Sequence, residues 1–85
     1  MQRYFFDLNE RGDVTTDEEG RLLPDAAAAH RHAVVEAREI MSGDIRRGVL
    51  SLEYAIEVRD ETGAIILNVL FHEAAMPGTR TLFRT

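Results

Sequence analysis

His30 and His32 are the first residues that suggest chemistry, because two imidazoles close in sequence are a common start to a metal site. On a helix, positions two apart point about 200° from each other, so the two rings cannot close on one ion. One is expected at the margin of a core and the other in solvent. His72, beside Glu73 at a strand end, has no partner visible in sequence. The run Asp13-Val14-Thr15-Thr16-Asp17-Glu18-Glu19-Gly20 has the composition of a calcium loop but not its order. The glycine of such a loop belongs at the sixth position, where Glu18 stands, and its glutamate at the twelfth, where Pro24 stands. A solvated, turn-forming acidic run is the better account. No metal site and no cofactor site is expected.

Nucleophilic chemistry finds no more support. Ser42 lies at a helix end and Ser51 ahead of a strand, and neither belongs to a nucleophile-elbow pattern. The chain has no cysteine, and all ten of its basic residues are arginine, which removes thiolate chemistry and Schiff bases together. Its six glycines are dispersed at turns rather than gathered in a phosphate-binding loop. Carboxylates are too plentiful for a pair of them to mean acid–base catalysis without a pocket. An enzyme is not expected, and no catalytic residue is assigned.

Arg31 and Arg38 fall on neighbouring parts of one helix surface and form the candidate polar contact face, able to meet an acidic partner or phosphates. Glu36 and Glu39 balance their charge locally, and the net charge of −5 is the wrong sign for binding nucleic acid by bulk electrostatics.

The elements that must position these residues can be read from periodicity. With 85 residues, 45% of them apolar and 29% charged, the chain makes one globular domain near the lower end of independent stability. No apolar run approaches the roughly 20 residues that span a bilayer, and Asp7 cuts the amino-terminal run far short of a signal-peptide core. A cytoplasmic location is expected. Tyr4-Phe5-Phe6-Asp7-Leu8 alternates, with Tyr4, Phe6 and Leu8 on one face and Phe5 and Asp7 on the other. Turn formers at 9–13 lead into a short β-prone run at Val14-Thr15-Thr16, a hairpin whose pairing ends at Asp17-Glu18-Glu19-Gly20.

Asp25 is placed to cap a helix that begins at Ala26. Ala26, Ala29, Ala33, Ala37 and Ile40 make one stripe, flanked by His30, Val34 and Met41. Asp44 would fall near the centre of that stripe, at a cost of about several kcal/mol if unpaired. The helix is therefore expected to break or distort near Gly43, at most running on to Arg47, and to stop by Gly48. Leu52, Tyr54, Ile56 and Val58 alternate inward along a third strand, and Asp60-Glu61-Thr62-Gly63 turns the chain into a fourth at 64–71.

The resulting fold class is α+β, in the order β-β-α-β-β, with a four-stranded, mostly antiparallel sheet and one helix packed on one face. The domain covers 1–72, and 73–85 is expected to be a flexible tail, with a short strand conceivable at Thr81-Leu82-Phe83. The fourth strand is apolar on both faces and is placed centrally, giving the order second-first-fourth-third, with second-first-third-fourth left open. Phe5, Ala55, Ile66 and Leu70 would then cluster opposite the helix as the candidate interface, unless Leu82 and Phe83 of the tail cover them.

The stretches Arg3-Tyr4-Phe5-Phe6-Asp7-Leu8, Asp17-Glu18-Glu19-Gly20, Leu23-Pro24-Asp25 and Glu57-Val58-Arg59-Asp60-Glu61-Thr62-Gly63 together resemble a family of small, functionally uncharacterised bacterial domains with an aromatic amino-terminal strand. The resemblance spans about 3–72 and implies no activity and no site residues. In layout alone, a short hairpin ahead of a helix and further strand is similar to antitoxin domains of HicB type. The leading expectation is a small interaction module that forms a homodimer or binds a protein partner. The alternative is a nucleic-acid-linked, antitoxin-like regulator using the helix arginines.

The helical spacing of His30 and His32 predicts that added zinc leaves both ring resonances in place. A stoichiometric perturbation of both histidines in an NMR titration would show that they do share an ion.

Overall fold

The alternation of the first strand is realised in the computed structural model, which describes residues 1–76. β1 (Gln2–Glu10) turns tightly at Arg11-Gly12, both at positive φ, into β2 (Asp13–Thr15). Two residues at positive φ give the hairpin turn whose twist matches that of the strands. Tyr4 and Phe6 are buried and Leu8 packs against them. The pairing does not end at Gly20. A further strand, β3 (Arg21–Leu23), resumes it against the amino-terminal end of β1, with Tyr4 opposite Arg21 and Gln2 opposite Leu23.

α1 (Ala26–Arg46) starts where Asp25 accepts a hydrogen bond from the Ala28 N–H at 2.8 Å. Ala29, Ala33 and Ala37 are fully buried against the sheet, with Val34 and Met41 beside them, whereas Ala26 lies exposed in the first turn. Small residues let the helix approach, and the aromatic and branched residues of the sheet fill the space between. The helix neither breaks nor distorts at Gly43. Asp44 is indeed buried, at 6% exposure, but Arg47 pairs with it, so its charge is matched from one turn further on. The stop is Gly48, at φ 80°, where Gly48 N–H donates to the Ile45 carbonyl and Val49 N–H to that of Asp44. That is a Schellman closure.

β4 (Ala55–Arg59) is shorter than the alternation implied. Ile56 and Val58 are buried and Tyr54 packs on the core, but Leu52 stands exposed in the connection from the helix, which leaves Ser51 buried instead. A five-residue connection, 60–64, follows, in which Gly63 takes φ 90° and Asp60 Oδ1 accepts from the N–H and hydroxyl of Thr62. β5 (Ile65–Leu70) then returns along β4 and runs directly into α2 (Phe71–Ala74).

The chain is thus α+β, with an antiparallel sheet, one main helix and a short second helix. The sheet order is β2-β1-β4-β5, with β3 paired to β1 beyond the end of β2. β4, the third of the four expected strands, is therefore central and β5, the fourth, lies outside it, which corrects the preferred placement and matches the order left open. Residues 73–76 are not a loose tail either. Phe71 and Ala74 are fully buried, the Phe71 N–H donates to the Tyr54 carbonyl at 2.9 Å, and Arg38 Nε donates to the Ala74 carbonyl at 2.6 Å. The expected tail over 77–85, its strand at 81–83 and its cover by Leu82 and Phe83 lie outside the described residues.

Two glycines at positive φ have different surroundings. A Cβ on Gly63 would meet nothing within 4 Å, while one on Gly20 would lie 2.8 Å from the Tyr4 carbonyl oxygen and 2.9 Å from both Arg3 Cγ and Phe5 Cε2. Gly63→Ala should cost about 1–2 kcal/mol from backbone strain alone. Gly20→Ala should cost about 1–3 kcal/mol more, because β1 must also move. Equal denaturant midpoints for the two variants would show that the approach of Gly20 to β1 is not tight.

Candidate interaction edge and the face beside it

The sheet face away from α1 is organised in three rows that cross β1, β4 and β5. Phe5, Arg59 and Ile65 form one, Asp7, Glu57 and Asn68 the next, and Asn9, Ala55 and Leu70 the third. The middle row is polar. It divides the four residues expected to cluster, leaving Phe5 and Ile66 towards one end of the face and Ala55 and Leu70 at the other. Rows two apart are separated by about 13 Å along the strand. Ala55 is buried within the domain, and the Phe5 ring is covered by the Arg59 guanidinium at 4.9 Å.

Asp7 carries the most demanding requirement on this face, since it is only 5% exposed. Arg59 satisfies it with a forked contact, Nε at 2.7 Å from Oδ2 and Nη2 at 3.2 Å from Oδ1. The same Oδ1 accepts from the Asp17 N–H at 2.9 Å, and Arg59 Nη2 donates to the Asp17 carbonyl at 3.1 Å. Asp17 reciprocates, because its Oδ2 accepts from the Phe6 N–H and its Oδ1 from those of Glu19 and Gly20, all at 3.1 Å. The segment between β2 and β3 is therefore a bulge in one interrupted strand. Asp17's side chain takes the bond to β1 that a regular neighbour's carbonyl would have taken. The acidic run read as solvated turn is, at this residue, a structural clamp.

The two edges of the sheet differ as a result. The β2/β3 edge consists of two three-residue strands with a bulge between them, and it carries Asp13 and Arg21. Short strands, charges and bulges are the ordinary means of blocking unwanted strand pairing. The β5 edge is longer and uncharged, and its one irregularity is a register shift against β4 at Ile66, between the pairs Val58–Leu67 and Arg59–Ile65. Its residues, Ile-Ile-Leu-Asn-Val-Leu, include no charge and no proline, Ile65 and Ile66 are 59% and 38% exposed, and no strand pairs along its outer side among the described residues.

A family model for a domain of unknown function, DUF6894, matches residues 3–72. The chain belongs to the DUF6894 family. No curated protein and no solved structure matches it. The matched residues of this DUF6894 chain take in the aromatic first strand, the Asp17 bulge, α1 and the second hairpin, so both the clamp and the β5 edge lie within them.

Of the helix arginines, Arg31 is exposed, but Arg38 is turned onto α2, where it holds the carbonyls of Ala74 and Met76 at 2.6 and 3.4 Å. It acts there as a cap on a helix end and is not free to form a contact face with Arg31. Near it, Met41, Ile45, Leu52 and Ala75 line an open hollow of about 400 Å³ whose charged members are Arg38 and Arg46. Neither histidine lies fully in solvent. His32 packs edge-on to Phe6 at 4.5 Å between ring centres, and burial lowers the pKa of both His30 and His32. Glu36 is shifted the other way, raised by burial and then by Asp17 and Glu39. Periodicity gave no sign of the Asp7–Arg59–Asp17 cluster. The available signal was an aspartate inside an aromatic strand, which demands a partner without naming it.

Burial alone would raise the Asp17 pKa, but the N–H groups of Phe6, Gly20 and Glu19, together with Arg59, outweigh it and hold the carboxyl below its ordinary value. A folded-state pKa below the unfolded one gives stability that is complete above roughly pH 4 and lost as pH falls through the lowered value. Asp17→Asn should therefore be less stable than the wild type by about 1–3 kcal/mol at neutral pH, with the gap closing in acid. Denaturant midpoints between neutral and strongly acidic pH measure this, and a gap independent of pH would show that the charge of Asp17 is not what holds the bulge.

Proposed function

We propose that this DUF6894 domain is a cytoplasmic protein-interaction module, a binding domain rather than a catalyst, which recruits a strand of a protein partner to the outer side of β5. The reading rests on one observation, the difference between the edges. The β2/β3 edge is short, interrupted and charged, while β5 is longer and uncharged, with exposed Ile65 and Ile66 beside its register shift and, among the described residues, no strand on its outer side. In strand addition, main-chain hydrogen bonds supply affinity and alternate side chains supply selectivity. The candidate interface accordingly moves from the whole outer face to its margin, retaining Ile66 and Leu70. Ala55 is buried within the domain, and Phe5 is half-buried with Arg59 over its ring.

The nucleic-acid reading has less support, since Arg38 is engaged by α2 and the chain carries a net charge of −5.

A photo-crosslinking side chain placed at Ile66 in cells should give a covalent protein adduct, whereas the same group at Leu22, on the opposite edge, should not. Adducts at Leu22 and none at Ile66 would overturn the assignment of the edge. Ile66→Glu, which sets a carboxylate against the incoming strand, should weaken the association by about 1–3 kcal/mol, or roughly fivefold to 150-fold, with the circular dichroism of the domain unchanged.

A further inference from the structure

We infer that the strand received by β5 is β5 of a second copy of this chain, in an antiparallel register centred on Asn68. This rests on the strand-addition reading above and adds the identity of the partner and the pairing.

Main-chain direction sets the register. The Phe71 N–H donates to the Tyr54 carbonyl of the neighbouring strand at 2.9 Å, so by alternation the groups of Val69 and Leu67 also point towards β4. Those of Asn68, and the N–H of Leu70, point to the free side. Ile66 lies at the register shift against β4, outside this alternation, and its side chain is 38% exposed. When two β5 strands are laid antiparallel about Asn68, the two Asn68 residues face each other and each Ile66 faces Leu70 of the other copy. Asn68 and Leu70 project from the outer face, opposite Glu57 and Ala55, so these cross-strand contacts form on one side of the joined sheet.

Several features make the edge complementary to itself. Nothing in Ile65–Leu70 is charged, so the net charge of −5 places no like charges in the contact. The exposed Ile66 meets an apolar partner and loses contact with water. Each Asn68 amide can donate to the other and accept from it, which a residue with one kind of hydrogen-bonding group could not do. The two-fold axis runs normal to the sheet, so the path β2-β1-β4-β5 continues into its own reverse with both α1 helices on the same face. The opposite edge cannot do the same, because its strands are three residues long and the bulge at Asp17 separates them.

Cysteine cross-linking tests this directly, since the chain contains no cysteine and an introduced thiol reports alone. Facing residues in a hydrogen-bonded antiparallel pair have Cα atoms about 5.5 Å apart, inside the range of about 4.4–6.8 Å that a disulfide spans. Under mild oxidation of concentrated protein, Asn68→Cys should form a covalent dimer at least about tenfold faster than Val14→Cys on the other edge, the proximity effect expected of paired over colliding thiols. An equal mixture of Ile66→Cys and Leu70→Cys should cross-link faster than either alone, and it keeps Asn68 in place should the cysteine at 68 disturb the pairing. If the wild type sediments as a dimer while neither arm cross-links above the Val14→Cys level, the register is overturned, and strand addition at β5 stands only if the photo-crosslink from Ile66 joins two copies of the chain. If the wild type is monomeric even at high concentration, self-pairing is overturned. A crosslink from Ile66 in cells to a protein of different mass would then retain the interaction edge with another partner, and the absence of any such adduct would remove both readings.

Discussion

Asp7 places a carboxylate inside β1 at 5% exposure, where a charge has to be paired or the strand is lost. The cation that reaches it is Arg59, and its forked contact requires β4 to lie beside β1 with Phe5 opposite Arg59 and Asp7 opposite Glu57. That requirement brings the strand with the most outward charge into the interior of the sheet. Neighbours then satisfy the remaining charge, as Asn9 Nδ2 does by donating to Glu57 Oε2 at 2.9 Å. Asp7 also accepts from the Asp17 N–H, so the same carboxylate positions the bulge, and the bulge in turn brings Gly20 close enough to β1 to exclude any Cβ.

The outer edge follows from this arrangement. With β4 held next to β1, the apolar β5 is outermost among the described residues, and its exposed isoleucines lie at a margin rather than in a continuous patch across the face. The inner face is closed by α2 at the other end of β5, beyond Leu70. Phe71, which alternation would have made the last residue of the strand, instead begins a helix and is fully buried, with its ring edge-on to Tyr54 at 5.7 Å between centres. Arg38 completes that closure by holding the α2 carbonyls, so a residue of the helix surface serves packing rather than recognition.

Local physics accounts for most of what was legible in the chain. Alternation identified the inward residues Tyr4, Phe6, Ile56 and Val58, the aspartate before Ala26 marked the helix start, and Gly48 and Gly63 marked positions where only a residue free of a Cβ takes positive φ easily. Each of these signals compares residues a few positions apart. Leu52 shows the limit, because a residue in phase with a strand pattern still lies outside the strand when the chain needs a turn to bring the helix end back to the sheet.

What the sequence determined by itself was therefore the set of elements, the face each buries and the α+β class. Tertiary structure decided the strand order, the pairing of Asp7 with Arg59 and Asp17, the commitment of Arg38, and which strand lies outermost among the described residues. Periodicity specifies the direction of a side chain relative to its own strand or helix, but not which strand lies alongside. The Asp7–Arg59 pair joins residues 52 positions apart, and Arg38 and Ala74 are separated by 36. Nothing in the local chain distinguishes those partners from the other arginines and carbonyls, and only folding brings them within hydrogen-bonding distance.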